Sequence, residues 1–297
     1  MQPPTLIECF KGHNKPIRCL AFNPDGNQIC TASDENAVLA WNLTPPIRAF
    51  KYIGHTGPVL SCAYSSDNLL VTSSADQTIR IWAPNVRGDS IFKKVHSKPV
   101  RSVHISSDNR LICTASDDKS IKIFDAELNF RATLSGHANW VRCAQFSPDL
   151  RLIASVSDDM SLRIWDLRSQ NQVLCISADN GLCQNPVKIK FTSDGNCVAV
   201  CGFQDVQIWD VRSAQLLQHY ACSSGQISDI AFGMNDGFLA AAGVEGLKLL
   251  DVKRGRVLYT VKGHEGPVTA VAFSSDGSVV ASGGQDGRVM LFEIVVE

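Results

Sequence analysis

The sequence predicts an all-β fold, a seven-bladed β-propeller forming one domain over residues 1–297, because three sequence registers repeat together. A large apolar residue closes an alternating stretch at Trp41, Trp82, Phe124, Trp165, Trp209, Leu250 and Phe292, in steps of 41 to 44 residues, a spacing typical of propeller blades. Most are followed by Asp, Asn or Glu, and two of the pairs are Trp165-Asp166 and Trp209-Asp210. A second register is His13, His55, His137 and His264, each after Gly, with His96 lacking the Gly; nine positions later stand Phe22, Tyr64, Phe146, Phe273 and Ile105. The third lies three residues past that apolar position, at Asp25, Asp67, Asp108, Asp149, Asp194, Asn235 and Asp276, residues suited to the turn of a hairpin.

Taken in chain order, residues 5–10 supply only the outer strand of a blade, and each following unit reads as four short strands. The fourth unit illustrates them: Val141–Phe146, Leu152–Ser157, Ser161–Asp166 and 173–177, alternating with period two and separated by polar turns. No segment sustains a helical period. A lone four-stranded sheet cannot cover its faces, so the blades are expected to pack around a common axis and close on themselves. The seventh unit ends after its third strand, near Ile294, so the N-terminal strand is expected to complete it and leave no free edge. One insertion, residues 178–186 (ADNGLCQNP), reads as a surface loop.

Composition narrows the function classes. Lys plus Arg is 28 against 29 Asp plus Glu, without the basic excess that binding to a phosphate backbone uses, so no nucleic-acid partner is expected. Eleven cysteines, scattered through apolar runs with no C-x-x-C pair, suit reduced core residues of a cytoplasmic protein and give no metal site. The first ten residues lack the pattern of a secretory signal, and no apolar run approaches the roughly 18 residues of a membrane span. No cofactor and no membrane association are expected.

These units resemble WD repeats across the whole chain. The resemblance implies a buried hydrogen-bonded tetrad per blade: His55, Thr72, Asp76 and Trp82, and likewise His137, Ser155, Asp159 and Trp165. Blade one carries Glu35 with His13, Thr31 and Trp41. Blades three and seven keep His96, Thr114 and Asp118, and His264, Ser282 and Asp286, with Phe124 and Phe292 in place of Trp. Blades five and six lack the His, have Val200 and Ala241 for the Ser or Thr, and shorten the Asp turn, with Asp205 near the lost position. Joint loss is expected, because half of a buried polar network leaves unsatisfied groups costing about 1–3 kcal/mol each, whereas an apolar replacement is nearly neutral.

A closer resemblance is to the centriolar WD-repeat proteins of the proteome-of-centriole family. It is carried by IWAPNVRG (81–88), PVRSVH (99–104), NWVRCAQFSPD (139–149), LLQHY (216–220) and the stretch from Arg256 to Asp286. It implies a non-catalytic scaffold for centriole and basal-body assembly or stability and for cilium formation. It also implies a site at the centriole, centrosome or basal body within the cytoskeleton, centriolar or microtubule-associated protein partners, and a monomeric propeller. The family's C-terminal coiled-coil tail is not found in the 297 residues.

Two positions per blade lie at the mouth of the central channel in WD propellers: five residues after the histidine, and just before the turn Asp. Here they hold Arg18 with Asp34, Arg101 with Asp117, and Arg142 with Asp158; the other blades place Leu60, Ala75, Val187, Ser228, Thr269 and Gln285 there. Trp140 stands beside Arg142, and Arg and Trp are frequent interface anchors. These seven residues form the candidate partner-binding site, against the plainer reading of rim pairs worth about 0–1 kcal/mol. No catalytic residue is expected: five histidines are explained by tetrads, His104 and His219 lie outside the register without an evident partner, and no nucleophile, base and orienter converge. The alternative function is a peptide-reading adaptor in chromatin or ubiquitin-ligase substrate recognition.

Overall fold

Short alternating strands joined by tight turns pair into sheets of four. In the computed structural model, which describes residues 2–83 and 89–295, seven such antiparallel sheets are present, with only two short 3₁₀ turns, Ala178–Asn180 and Met234–Asp236. Residues 84–88, within IWAPNVRG, lie outside the described residues. Blade four is built from Val141–Phe146, Leu152–Ser157, Ser161–Asp166 and Gln172–Ser177. The strand Thr5–Lys11 pairs antiparallel with Arg288–Glu293, Phe10 opposite Val289, and completes the sheet that holds Val268–Phe273 and Val279–Gly284.

The core is a ring of wedges between neighbouring blades. Between blades one and two, small residues near the axis, Cys19, Ala32 and Cys62, give way outward to Tyr52 and Trp82, as the gap between diverging sheets requires. Between blades seven and one, Phe10 joins Leu39, Ala281 and Leu291 and stacks on Trp41 at 5.0 Å between ring centroids. The first strand therefore contributes hydrogen bonds to one blade and apolar packing to the joint with the next.

Each innermost strand has an edge without a sheet partner, and its polar groups need other partners. Side chains of the preceding blade supply several: Ser102 Oγ accepts from Ala144 N at 3.1 Å, Gln145 Oε1 from Phe191 N at 3.1 Å, and Asp229 Oδ2 from Val271 N at 3.1 Å. Thr269 Oγ1 donates to Ile17 O at 2.6 Å, carrying this belt across the closure. On the face formed by the first hairpin turns, Asn68 reaches Asp25 and Asn109 reaches Asp67, linking blade to blade. The position after the turn Asp is left-handed, filled by Gly26, Asn68, Asn109, Leu150, Gly195 and Gly277; Gly and Asn tolerate this backbone best.

Residues 178–186 depart from the surface loop expected of them. Leu182 and Cys183 are buried, because blade five has no histidine at its inner entry and these two side chains fill the space against Ile189 and Val200.

Candidate functional site

In blade two, Trp82 Nε1 donates to Thr72 Oγ1 at 2.9 Å, His55 Nε2 lies 2.8 Å from the same hydroxyl, and His55 Nδ1 lies 2.8 Å from Asp76 Oδ2. The indole can only donate, so the hydroxyl takes that proton and gives its own to Nε2, leaving Nδ1–H for the carboxylate. Blade four repeats the chain with Trp165, Ser155, His137 and Asp159 at 2.8, 2.8 and 2.9 Å. Blade one uses Trp41, Thr31, His13 and Glu35 at 3.1, 2.7 and 2.6 Å. Blades three and seven have His96 between Thr114 and Asp118, and His264 between Ser282 and Asp286. The Gly before the histidine gives the indole room: a Cβ at Gly12 would lie 2.6 Å from the Trp41 ring. Blade three, with the smaller Phe124, carries Val95 there.

Each turn acid also accepts from the backbone N–H after the histidine, as Asp76 does from Thr56 and Asp159 from Ala138, so the loops around the mouth are tied down. Burial alone would raise these carboxyls, but hydrogen bonds from His55 and Thr78 hold Asp76 well below the usual range, as His96 and Ser120 do for Asp118 and His137 and Ser161 for Asp159. A carboxyl depressed in the folded state stabilises fully above its unfolded pKa of about 3.9, and that contribution is lost as pH falls through the folded value. The urea midpoint should therefore drop steadily from pH 5 downward. A variant carrying Asp76→Asn, Asp118→Asn and Asp159→Asn, weaker at pH 7, should drop less steeply; equal slopes would contradict this account.

Blades five and six do not simply become apolar, as the sequence suggested. Gln207 Oε1 accepts from Trp209 Nε1 at 3.1 Å and from Cys183 N at 2.9 Å, while its Nε2 donates to Gly181 O at 3.0 Å. With Val200 offering no hydroxyl, the Trp209 N–H needs this other acceptor. In blade six Glu245 takes the acid's place, accepting from Ser224 N at 2.8 Å, and Lys248 joins it to the carbonyl of Cys222. Asp205 does not substitute for the turn acid; it faces His219 at 3.3 Å. His104, also without an expected partner, lies 3.0 Å from Gln145 Nε2.

At the mouth, Arg18, Arg101 and Arg142 occupy β-bulges: pairing in the inner hairpins jumps from Ile17 to Cys19, Val100 to Ser102 and Val141 to Cys143. A bulge leaves one residue out of the ladder and re-aims its side chain. Each guanidinium meets its Asp through two hydrogen bonds: Arg18 with Asp34 at 2.8 and 2.5 Å, Arg101 with Asp117 at 2.8 and 2.7 Å, Arg142 with Asp158 at 2.6 Å twice. Trp140 remains 39% exposed with the Arg101 and Arg142 guanidinium carbons 5.7 and 5.4 Å from its ring centroid. Arg18, Asp34, Arg101 and Arg142 border a cavity of about 680 Å³ together with Leu60, Ser228 and Thr269, Lys188 lines its depth, and Trp140, Asp117 and Asp158 stand outside its lining.

Lys188 went unnoticed in the sequence. Three residues before the apolar end of each inner strand, the seven blades place Cys19, Ser61, Ser102, Cys143, Lys188, Asp229 and Ala270, and the lysine and aspartate of neighbouring blades meet at 3.9 Å. Counting back along the repeat would have found them. Among the described residues, no group of three or more His, Cys, Asp or Glu could hold a metal ion, and no helix is long and apolar enough to cross a membrane. The eleven cysteines are free thiols.

The family profile described as WD domain, G-beta repeat matches residues 4–42, 46–83, 90–125, 128–166 and 255–293, more than half of the chain. The unmatched span contains blades five and six, whose polar networks are rebuilt. Similar curated proteins include POC1 centriolar protein homolog B of Danio rerio, 44% identical over 52 residues, 18% of this chain and 11% of the relative. COMPASS component SWD3 of Saccharomyces cerevisiae is 42% identical over 71 residues, 24% of this chain and 22% of the relative. Telomerase protein component 1 of Mus musculus is 30% identical over 79 residues, 25% of this chain and 3% of the relative. The matches thus span less than a quarter of each relative's length.

Proposed function

Because the chain belongs to the WD domain, G-beta repeat family, we propose that it is a non-catalytic scaffold whose mouth holds a segment of a protein partner in centriole and basal-body assembly. The single observation that carries the binding reading is Trp140, exposed with two guanidinium carbons 5.7 and 5.4 Å from its ring centroid. An aromatic held rigid by cation–π contacts loses little conformational freedom on binding, and such residues anchor interfaces. Arg18, Asp34, Asp117 and Asp158 complete the rim, and the tetrads keep its loops fixed. The likeness to POC1 centriolar protein homolog B supports the centriolar setting. A second reading, an adaptor that reads peptides in chromatin, is favoured by the longer match to COMPASS component SWD3.

Fluorescence localisation against a centriole marker in dividing cells tests both parts. The expected result is centriolar puncta for the native protein, at least tenfold fainter for Trp140→Ala, which leaves both neighbouring Arg–Asp pairs in place, and lost when Arg101→Ala is added. Circular dichroism checks that the variants fold. Diffuse or nuclear signal for the native protein sinks the centriolar setting, and undiminished puncta in folded variants sink the mouth as the binding site.

A further inference from the structure

Below the Lys188–Asp229 pair, the channel continues as a second cavity of about 370 Å³, bordered by the same two residues. One position before the apolar end of each inner strand, four blades place alanine, Ala21, Ala63, Ala231 and Ala272, whereas blades three, four and five place His104, Gln145 and Lys190. The alanines leave space on one side of the axis and the three polar side chains line the other. Two of the three are engaged with each other, and Gln145 also accepts from Phe191 N.

Lys190 is different. Among the described residues it makes no hydrogen bond or ion pair, although it lines a narrow channel. His104 adds no second positive charge: burial, with the neighbouring Lys190 ammonium, pushes it down to about 3. Asp229, the acid in this lining, already accepts from Ile230 N and Val271 N and faces Lys188. The cavity therefore holds one uncompensated positive charge. The remainder of its wall combines the Ser61 and Ser102 hydroxyls with an aromatic band of Phe22, Tyr64, Phe191, Phe232 and Phe273.

We propose that this lower half of the channel binds a small apolar acid, its carboxylate on Lys190 and its hydrocarbon body against the aromatic wall. A partly desolvated ammonium gains most from an anion that also excludes water, and the volume suits a ligand of modest size. The site is separate from the Arg-lined mouth and does not depend on the protein partner held there.

Calorimetric titration of the full chain with 3-phenylpropionate tests it, with 3-phenylpropan-1-ol as the uncharged counterpart and inorganic phosphate as an anion without an apolar body. Saturable binding of 3-phenylpropionate is expected, at least tenfold weaker in Lys190→Met, retained in Lys190→Arg, and at least tenfold weaker for the alcohol. Should Lys190→Met lose its fold by circular dichroism, Lys190→Gln serves the same comparison. No saturable binding, equal binding by a folded Lys190→Met or Lys190→Gln protein, or phosphate bound more tightly than 3-phenylpropionate would each overturn the proposal.

Discussion

Replacing Thr72 by Val lowers the unfolding free energy by about 2–6 kcal/mol, because the isosteric side chain strands two buried groups at about 1–3 kcal/mol each. Those groups are the Trp82 N–H and His55 Nε2, which both meet the lost hydroxyl. In blade three, Thr114→Val strands His96 Nε2 and removes a longer 3.3 Å bond to the Lys122 carbonyl, but no indole N–H, since Phe124 has none, so the expected loss there is about 1–3 kcal/mol. Urea unfolding of the two variants at pH 7 reads the difference. Equal losses would mean that the indole hydrogen bond adds nothing to the histidine's.

Asp229→Leu should be comparably damaging, at about 3–5 kcal/mol, because it leaves a cation unpaired inside the channel. It also removes the acceptor for two backbone N–H groups, at 3.0 Å within blade six and 3.1 Å across to blade seven. Asp229→Asn keeps one acceptor oxygen and should lose less. Adding Lys188→Met to Asp229→Leu should recover part of the stability, since the stranded charge is then gone, and a double-mutant cycle measures that coupling. An additive double variant would show that the 3.9 Å pair contributes nothing.

The blades and their closure were legible because the information is periodic. Trp41, His13 and Asp25 mark three registers that recur in step, and the missing fourth strand at residue 294 points back to residues 5–10. The rim pairs were legible through the family resemblance, although the bulge that aims Arg18, Arg101 and Arg142 was not, since it is a pairing irregularity with no residue signature of its own. Lys188 and Asp229 stayed hidden because they are 41 residues apart and fill a register position whose other occupants are Cys, Ser and Ala. Gln207 and Glu245 stayed hidden for the opposite reason: they restore a network with residue types, and in shortened turns, that the repeat pattern does not contain. The composition of residues 178–186 resembled a loop, and only the absent histidine of blade five accounts for the burial of Leu182 and Cys183.

The pairing of Phe10 with Val289 sets a timetable for the nascent chain. At translation speeds of about 5–20 residues per second, the first strand leaves the ribosome roughly 15 s to a minute before its partner exists. Throughout that interval blade one can form, while Leu6, Ile7 and Phe10 have no sheet to join. Glu8 and Lys11 stand among them, the kind of charge placement that discourages a strand from adding to a neighbour's edge. The waiting segment is a stretch of the newborn protein open to a chaperone until its partner strand arrives.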